Sequence, residues 1–187
     1  MNSFNRIVRA SNRHSKRMLL TSARLALIAV ATACTTEKPV KQVSDRQSLS
    51  AAGEAAIRDS VKAVLGEFTS KMSKKDFDGA GRLYSDDSSF SWVENGSLGF
   101  QNAKDVRASL KTLSNIPEIK LSYYETQISV LAPKVATVRT EFSQTFSDKP
   151  GRGTTYGGFL TMTMVREKDG WKILNGHTSS RKPRPGL

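Results

Sequence analysis

The chain has 187 residues, 37% hydrophobic and 25% charged, which suits one globular domain with a leader or tail and excludes collagen-like, disordered and disulfide-rich classes. Its net charge of +12 is not a nucleic-acid signature: residues 1–33 hold six basic side chains and no acid, the tail 181–187 carries +3, and 50–180 holds 17 basic against 15 acidic residues. A single cysteine, Cys34, excludes an intrachain disulfide.

Arg6, Arg9, Arg13, Lys16, Arg17 and Arg24 precede the apolar run Leu25–Ala33, and Cys34 follows at once. That is the order of a secretory signal: charged region, short apolar region, small residues at the cleavage site. A run of nine residues is too short for a membrane span, which takes about 20. Ala31-Thr32-Ala33-Cys34 resembles a bacterial lipobox, although Ala31 stands where Leu is usual. The resemblance implies cleavage after Ala33 and a lipid on Cys34; ordinary cleavage leaving a free thiol is the alternative. Met18 is an alternative start, giving a more compact leader. Thr35, by resemblance to enterobacterial lipoproteins, implies an outer-membrane address in an organism with that membrane. Residues 34–49 are polar and aperiodic, and read as a flexible tether.

Within 50–180, Ile57, Val61, Val64, Leu65, Phe68 and Met72 recur at helical spacing, predicting an amphipathic helix of about 20 residues capped by Ser50 or Ser48. A short second helix fits Lys75 to Tyr84. Phe90, Trp92 and Val93 make a short strand that turns at Glu94-Asn95-Gly96-Ser97. Asn102 caps a third helix with Ala103, Val106, Leu110 and Leu113 on its buried side, closed by Pro117. From Glu118 the period becomes two, with strands at 118–132, 134–147 and 154–167, and a turn at Asp169-Gly170 leads to a last strand at 171–180. Helices followed by strands indicate an α+β fold, with three N-terminal helices packed on a curved antiparallel sheet. Residues 181–187 read as a solvated basic tail with weak attraction to anionic headgroups.

Asp76-Phe77-Asp78-Gly79 through Tyr84-Ser85-Asp86-Asp87, with the closing stretch Asp169-Gly170-Trp171 through Ser180, resembles the nuclear transport factor 2-like superfamily, and within it the SnoaL-like and DUF4440-like branches. The resemblance covers 52–180 and implies a cone-shaped fold with a cavity between helices and sheet, and a habit of forming homodimers. Strand parity then puts Trp92 on one face with Phe90 and Glu94, Phe142 with Val138, Gln144 and Phe146, and His177 with Ile173, Asn175 and Ser179. Phe68, Tyr84, Trp92, Phe142 and His177 are the expected ligand-binding residues.

Ketosteroid isomerases of that superfamily use a tyrosine donor and an aspartate base. Aligned through Tyr84-Ser85-Asp86-Asp87, those positions fall on Phe68 and Trp92, and neither side chain performs the role. His177, Glu94 and Asp86 remain the catalytic candidates. The structural reading is nonetheless the favoured one for each: His177 as a histidine held by a backbone carbonyl, and Asp86-Asp87 as caps at a helix end. Glu125, Arg139 and Glu141 read as cross-strand ion-pair residues. No metal site and no cofactor is expected, because the one histidine beyond the leader and unspaced carboxylates make no ligand set. The favoured reading is an envelope lipoprotein that binds a small apolar or amphipathic molecule. A SnoaL-like enzyme using His177 with a carboxylate, and a homodimeric assembly module, stand beside it.

Overall fold

The computed structural model describes residues 49–149 and 152–181, together with the backbone of 184–185. The expected leader, Cys34 and nearly all of the tether lie outside the described residues.

Helix α1 spans Ala51–Ser73. It starts where the Ser50 hydroxyl accepts from the Gly53 N–H at 3.1 Å, and it buries Val61, Leu65, Phe68 and Met72. Lys75 then takes a left-handed backbone (φ 59°), so no second helix can begin there. Helix α2 is accordingly shorter than the Lys75–Tyr84 expected, covering Phe77–Gly81, with the Asp76 carboxylate accepting from the Gly79 N–H at 2.8 Å. Strands β1 (Ser91–Glu94) and β2 (Ser97–Phe100) form a hairpin through Asn95 and Gly96, both at positive φ. Helix α3 (Ala103–Lys111) is capped by Asn102 and runs into a single 3-10 turn over Thr112–Asn115.

Four long strands follow: β3 (Glu118–Ala132), β4 (Val135–Lys149), β5 (Arg152–Glu167) and β6 (Gly170–Ser180). A short β7 (Arg184–Pro185) pairs with β5 beyond the end of β6. The sheet order is β2-β1-β6-β5-β4-β3. The α+β arrangement of three helices on a curved sheet is as the sequence predicts, with one refinement: β1 runs parallel to β6, so the sheet is mixed. The cause is the route of the chain after α2, where Tyr84 bridges Ile173 in parallel and carries the backbone along β6 before β1 begins.

One sheet face packs against the helices, and the core there joins Val61, Leu65, Phe68 and Met72 to Val138, Met162, Met164 and Ile173. Two irregularities set which side chains reach that inner face. On β3, Tyr124 pairs with Glu141 and Gln127 with Arg139, so Glu125 and Thr126 together oppose Thr140. Glu125 sits at φ 47°, and the extra residue restores parity so that both Tyr123 and Ile128 point inward. On β6, Met164 pairs with Ile173 and Thr163 with Asn175, leaving Leu174 as the extra residue.

The β3 bulge opens the ladder, and the Thr140 hydroxyl fills the gap. It donates to the Tyr124 carbonyl at 2.9 Å and lies 2.9 Å from the Thr126 hydroxyl, with Thr140 only 1% exposed. Thr140→Val keeps the shape and removes those bonds. Urea unfolding should show a loss of about 2 kcal/mol, the order expected when buried polar partners are left unpaired.

Candidate functional site

Tyr84 stands at the centre of an aromatic cluster. Its ring meets Phe68 of α1 at 5.9 Å, Phe90 at 6.0 Å and Trp92 of β1 at 6.1 Å, each edge to face. The indole of Trp92 lies over Gly176 of β6 so closely that a Cβ there would come within 2.1 Å of the ring. Glycine at 176 is therefore what lets Trp92 lie inward.

Tyr84 is held from behind by Arg107 of α3. The guanidinium donates to the Tyr84 carbonyl at 3.3 Å, to the Gly81 carbonyl at 3.0 Å, and to both oxygens of Asp86 at 2.6 and 3.0 Å. Gly81 makes room for it, since a Cβ there would lie 2.8 Å from Arg107 Cγ. Asp86, a catalytic candidate in the sequence, is thus engaged as the partner of a structural arginine.

On the sheet side, Tyr123 pairs with Phe142, and Leu121 with Gln144. Phe146 packs edge to face on Tyr156 at 6.0 Å. Burial differs along this inner face. Val138, Met162, Met164 and Ile173 are 0–3% exposed, whereas Trp92, Leu121, Tyr123, Gln144, Phe146 and Tyr156 are only half-buried. The helices therefore cover one half of the inner face more completely than the other.

Two phenol hydroxyls belong to this region. Burial raises the pKa of Tyr84, with smaller contributions from Tyr123 and the Glu94 carboxylate, and burial alone raises that of Tyr123. Both remain protonated at any physiological pH. Neither hydroxyl has a hydrogen-bond partner among the described residues, and neither is sealed in. The fully enclosed side-chain donor without a partner is Trp171 Nε1.

Phe68, Tyr84, Trp92 and Phe142 all lie on the helix-covered side of the sheet, and for Trp92 and Phe142 that is the face strand parity predicts. Glu94 is exposed at the end of β1, on the Trp92 side and within electrostatic reach of Tyr84. His177 is placed otherwise than expected. Gly176 is the inward residue opposite Trp92, so its neighbour His177, opposite Val93 and Thr161, is exposed on the outer face. The Leu174 bulge is the reason: Ile173 faces the core, and parity carried straight from it to Asn175 and His177 is off by one. The sheet thus separates His177 from Glu94. Tyr123 is the site residue that sequence reasoning missed; its alternation with Ile119 and Leu121 is the signal that marks it.

The outer face carries a half-open hollow of about 200 Å³ lined by Tyr124, Glu141, Phe142, Ser143, Thr155, Gly157 and Arg181. Glu141 and Arg181 form an ion pair at 2.8 Å beside it. It is below the range of about 300–1,000 Å³ usual for organic ligands. Among the described residues no group of three His, Cys, Asp or Glu side chains is placed to hold a metal ion.

Arg107 lowers the pKa of Asp86, first by hydrogen bonding and then by charge. The pair's contribution to stability is fully present above the ordinary value of 3.8 and is lost as pH falls below it through the lowered folded value. In acid titrations of stability, Arg107→Met should fall less steeply than the parent below about pH 4 and start lower at neutral pH.

Solved structures share this architecture. A candidate scytalone dehydratase of Novosphingobium aromaticivorans DSM 12444 superimposes with a TM-score of 0.66 at 10% identity, covering 73% of this chain and 91% of that one. A hexachlorocyclohexane dehydrochlorinase of Novosphingobium barchaimii LL02 gives 0.60 at 10% identity, covering 73% and 94%. An NTF-2 like protein of unknown function from Shewanella oneidensis MR-1 gives 0.55 at 18% identity, covering 66% and 98%. These likenesses establish the fold. No curated protein matches the chain in sequence. The SnoaL-like domain family matches residues 61–183, about two thirds of the sequence, and the chain belongs to that family.

Proposed function

We propose that the protein binds a small apolar or amphipathic molecule on the open half of the inner sheet face, and that a lipid on Cys34 anchors it in the cell envelope. The observation that carries the binding reading is the set of half-buried apolar and aromatic side chains, Trp92, Leu121, Tyr123, Phe146 and Tyr156, on the part of the inner face that the helices cover least. Apolar surface left partly in water is a favourable place for an apolar molecule to bind. The solved structures of this fold described as a dehydratase and a hexachlorocyclohexane dehydrochlorinase add support for a site sized for small organic molecules. The anchor rests on Ala31-Thr32-Ala33-Cys34 and on the basic stretch and apolar run before it.

A second reading, proton transfer with Glu94 as base, draws on the reach of that carboxylate to Tyr84. Half-exposed Tyr124 and Phe159 on the outer face, 51% and 46% exposed, favour self-association of two copies there.

Native mass spectrometry of the chain purified from its own organism should show a bound small molecule, and Trp92→Ala should lose it. Protein that is empty in repeated preparations, with no added apolar compound retained, overturns the binding reading. For the anchor, Cys34→Ala should move the protein from the membrane fraction to the soluble one. Unchanged membrane association refutes lipidation.

A further inference from the structure

The hollow on the outer sheet face is separate from the inner face, and its side chains fit one kind of ligand. Its floor is the cross-strand pair of Ser143 on β4 and Gly157 on β5. A Cβ at 157 would meet only the Phe142 carbonyl, at 3.3 Å, and would otherwise stand in the hollow, so glycine keeps it open. Arg181 is held at this floor twice. Its backbone N–H donates to the Gly157 carbonyl at 2.8 Å, and its Nη2 donates to Glu141 Oε1 at 2.8 Å. Tyr124, the cross-strand neighbour of Glu141, is half-exposed and forms a ring wall.

The polar groups left over restrict the ligand. Arg181 Nε and Nη1 and the second Glu141 oxygen have no partner among the described residues. The two charges already neutralise each other, so an anion brought here faces the Glu141 carboxylate and a cation faces the Arg181 guanidinium. A hydroxyl accepts from the guanidinium and donates to the carboxylate at once, which neither a carbonyl nor an ammonium group can do. Apolar ring surface is offered as well. Phe159, half-exposed, flanks Glu141 on the side away from Tyr124, and two strand spacings put the two aromatic residues roughly 10 Å apart at the backbone. The electron-rich faces of such rings suit the C–H faces of saturated rings. A neutral chain of polyhydroxylated rings supplies both the hydroxyls and the C–H faces. At about 200 Å³ the hollow holds one ring of that chain and not a whole ligand.

We propose that the outer face is a glycan-binding surface, on which one sugar ring of a neutral, extended oligosaccharide sits in the hollow against Tyr124, its hydroxyls bridging Glu141 and Arg181, while the chain continues toward Phe159. The proposal is independent of any ligand on the inner face. A second copy seated on the outer face would bury the Glu141–Arg181 pair, and the cores of interfaces between proteins are depleted in charge.

Cellotetraose, a neutral chain with extended linkages, is the probe, and maltotetraose, the same sugar with coiled linkages, is its control. Calorimetric titration of the purified full chain should show cellotetraose binding, with maltotetraose at least about fivefold weaker. Tyr124→Ala and Gly157→Val, which remove the wall and fill the hollow, should each weaken cellotetraose binding about tenfold, and Arg181→Ala about fivefold, the loss of one hydrogen bond. Thermal melting checks that each variant folds. No cellotetraose binding, or binding that all three variants leave unchanged, overturns the proposal. Equal binding of the two sugars overturns the extended-chain condition. Cellotetraose binding lost in Trp92→Ala but kept in Tyr124→Ala puts the sugar on the inner face and refutes this site. A dimer in sedimentation that Tyr124→Ala splits and cellotetraose does not affect gives the face to a second copy, and overturns the proposal too.

Discussion

Between Ile173 and Asn175 the last long strand gains one residue over β5, and much of the domain depends on that insertion. Ile173 sits in the core under the helices, and the backbone of Leu83–Ser85 bonds to it on the strand's free side. One residue later the inward position passes to Gly176, which lacks a side chain and so accepts the Trp92 indole. The same strand therefore holds the end of α2 with its first half and β1 with its second, both in parallel. A regular strand would have placed Asn175 and His177 inward, filling with polar side chains the space that the indole occupies.

Arg107 performs the matching task on the helical side. Its one guanidinium ties two backbone carbonyls and the Asp86 carboxylate, fixing α3 to the turn that follows α2. Tyr84 is thereby fixed in backbone as well as in ring packing. The Asp86 carboxylate, a catalytic candidate in the sequence, is thus part of the support of this turn.

Local patterns carried most of the fold. Ser50 and Asn102 cap the helices that their positions announce, and the two-residue period places the four long strands to within about two residues. β2 escaped notice because Ser97-Leu98-Gly99-Phe100 is short, interrupted by glycine and half polar, so its pairing with β1 alone defines it. The site was legible in part for the same reason. Phe68, Tyr84, Trp92 and Phe142 follow from helical or strand spacing measured over a few residues. His177 does not, because it depends on a bulge, and nothing in Ile173-Leu174-Asn175 marks the inserted residue. Tyr123 was legible from its alternation with Ile119 and Leu121, before the β3 bulge, and was overlooked. Arg107 is invisible to such reasoning, since its partners lie 21 to 26 residues away.

The bulge at Glu125 has a bearing on the whole molecule's behaviour in a crowded compartment. β3 is a terminal strand of 15 residues, long enough to template the addition of a foreign strand. Its left-handed residue breaks the spacing of its outward N–H and C=O groups near the middle, so a straight partner can match one side of the break and not the other. The opposite border, β2, offers only four residues with a glycine among them. Both borders are thus poor seeds for fibrillar growth, a useful property in a chain whose outer sheet face is rich in threonine and carries exposed aromatic rings.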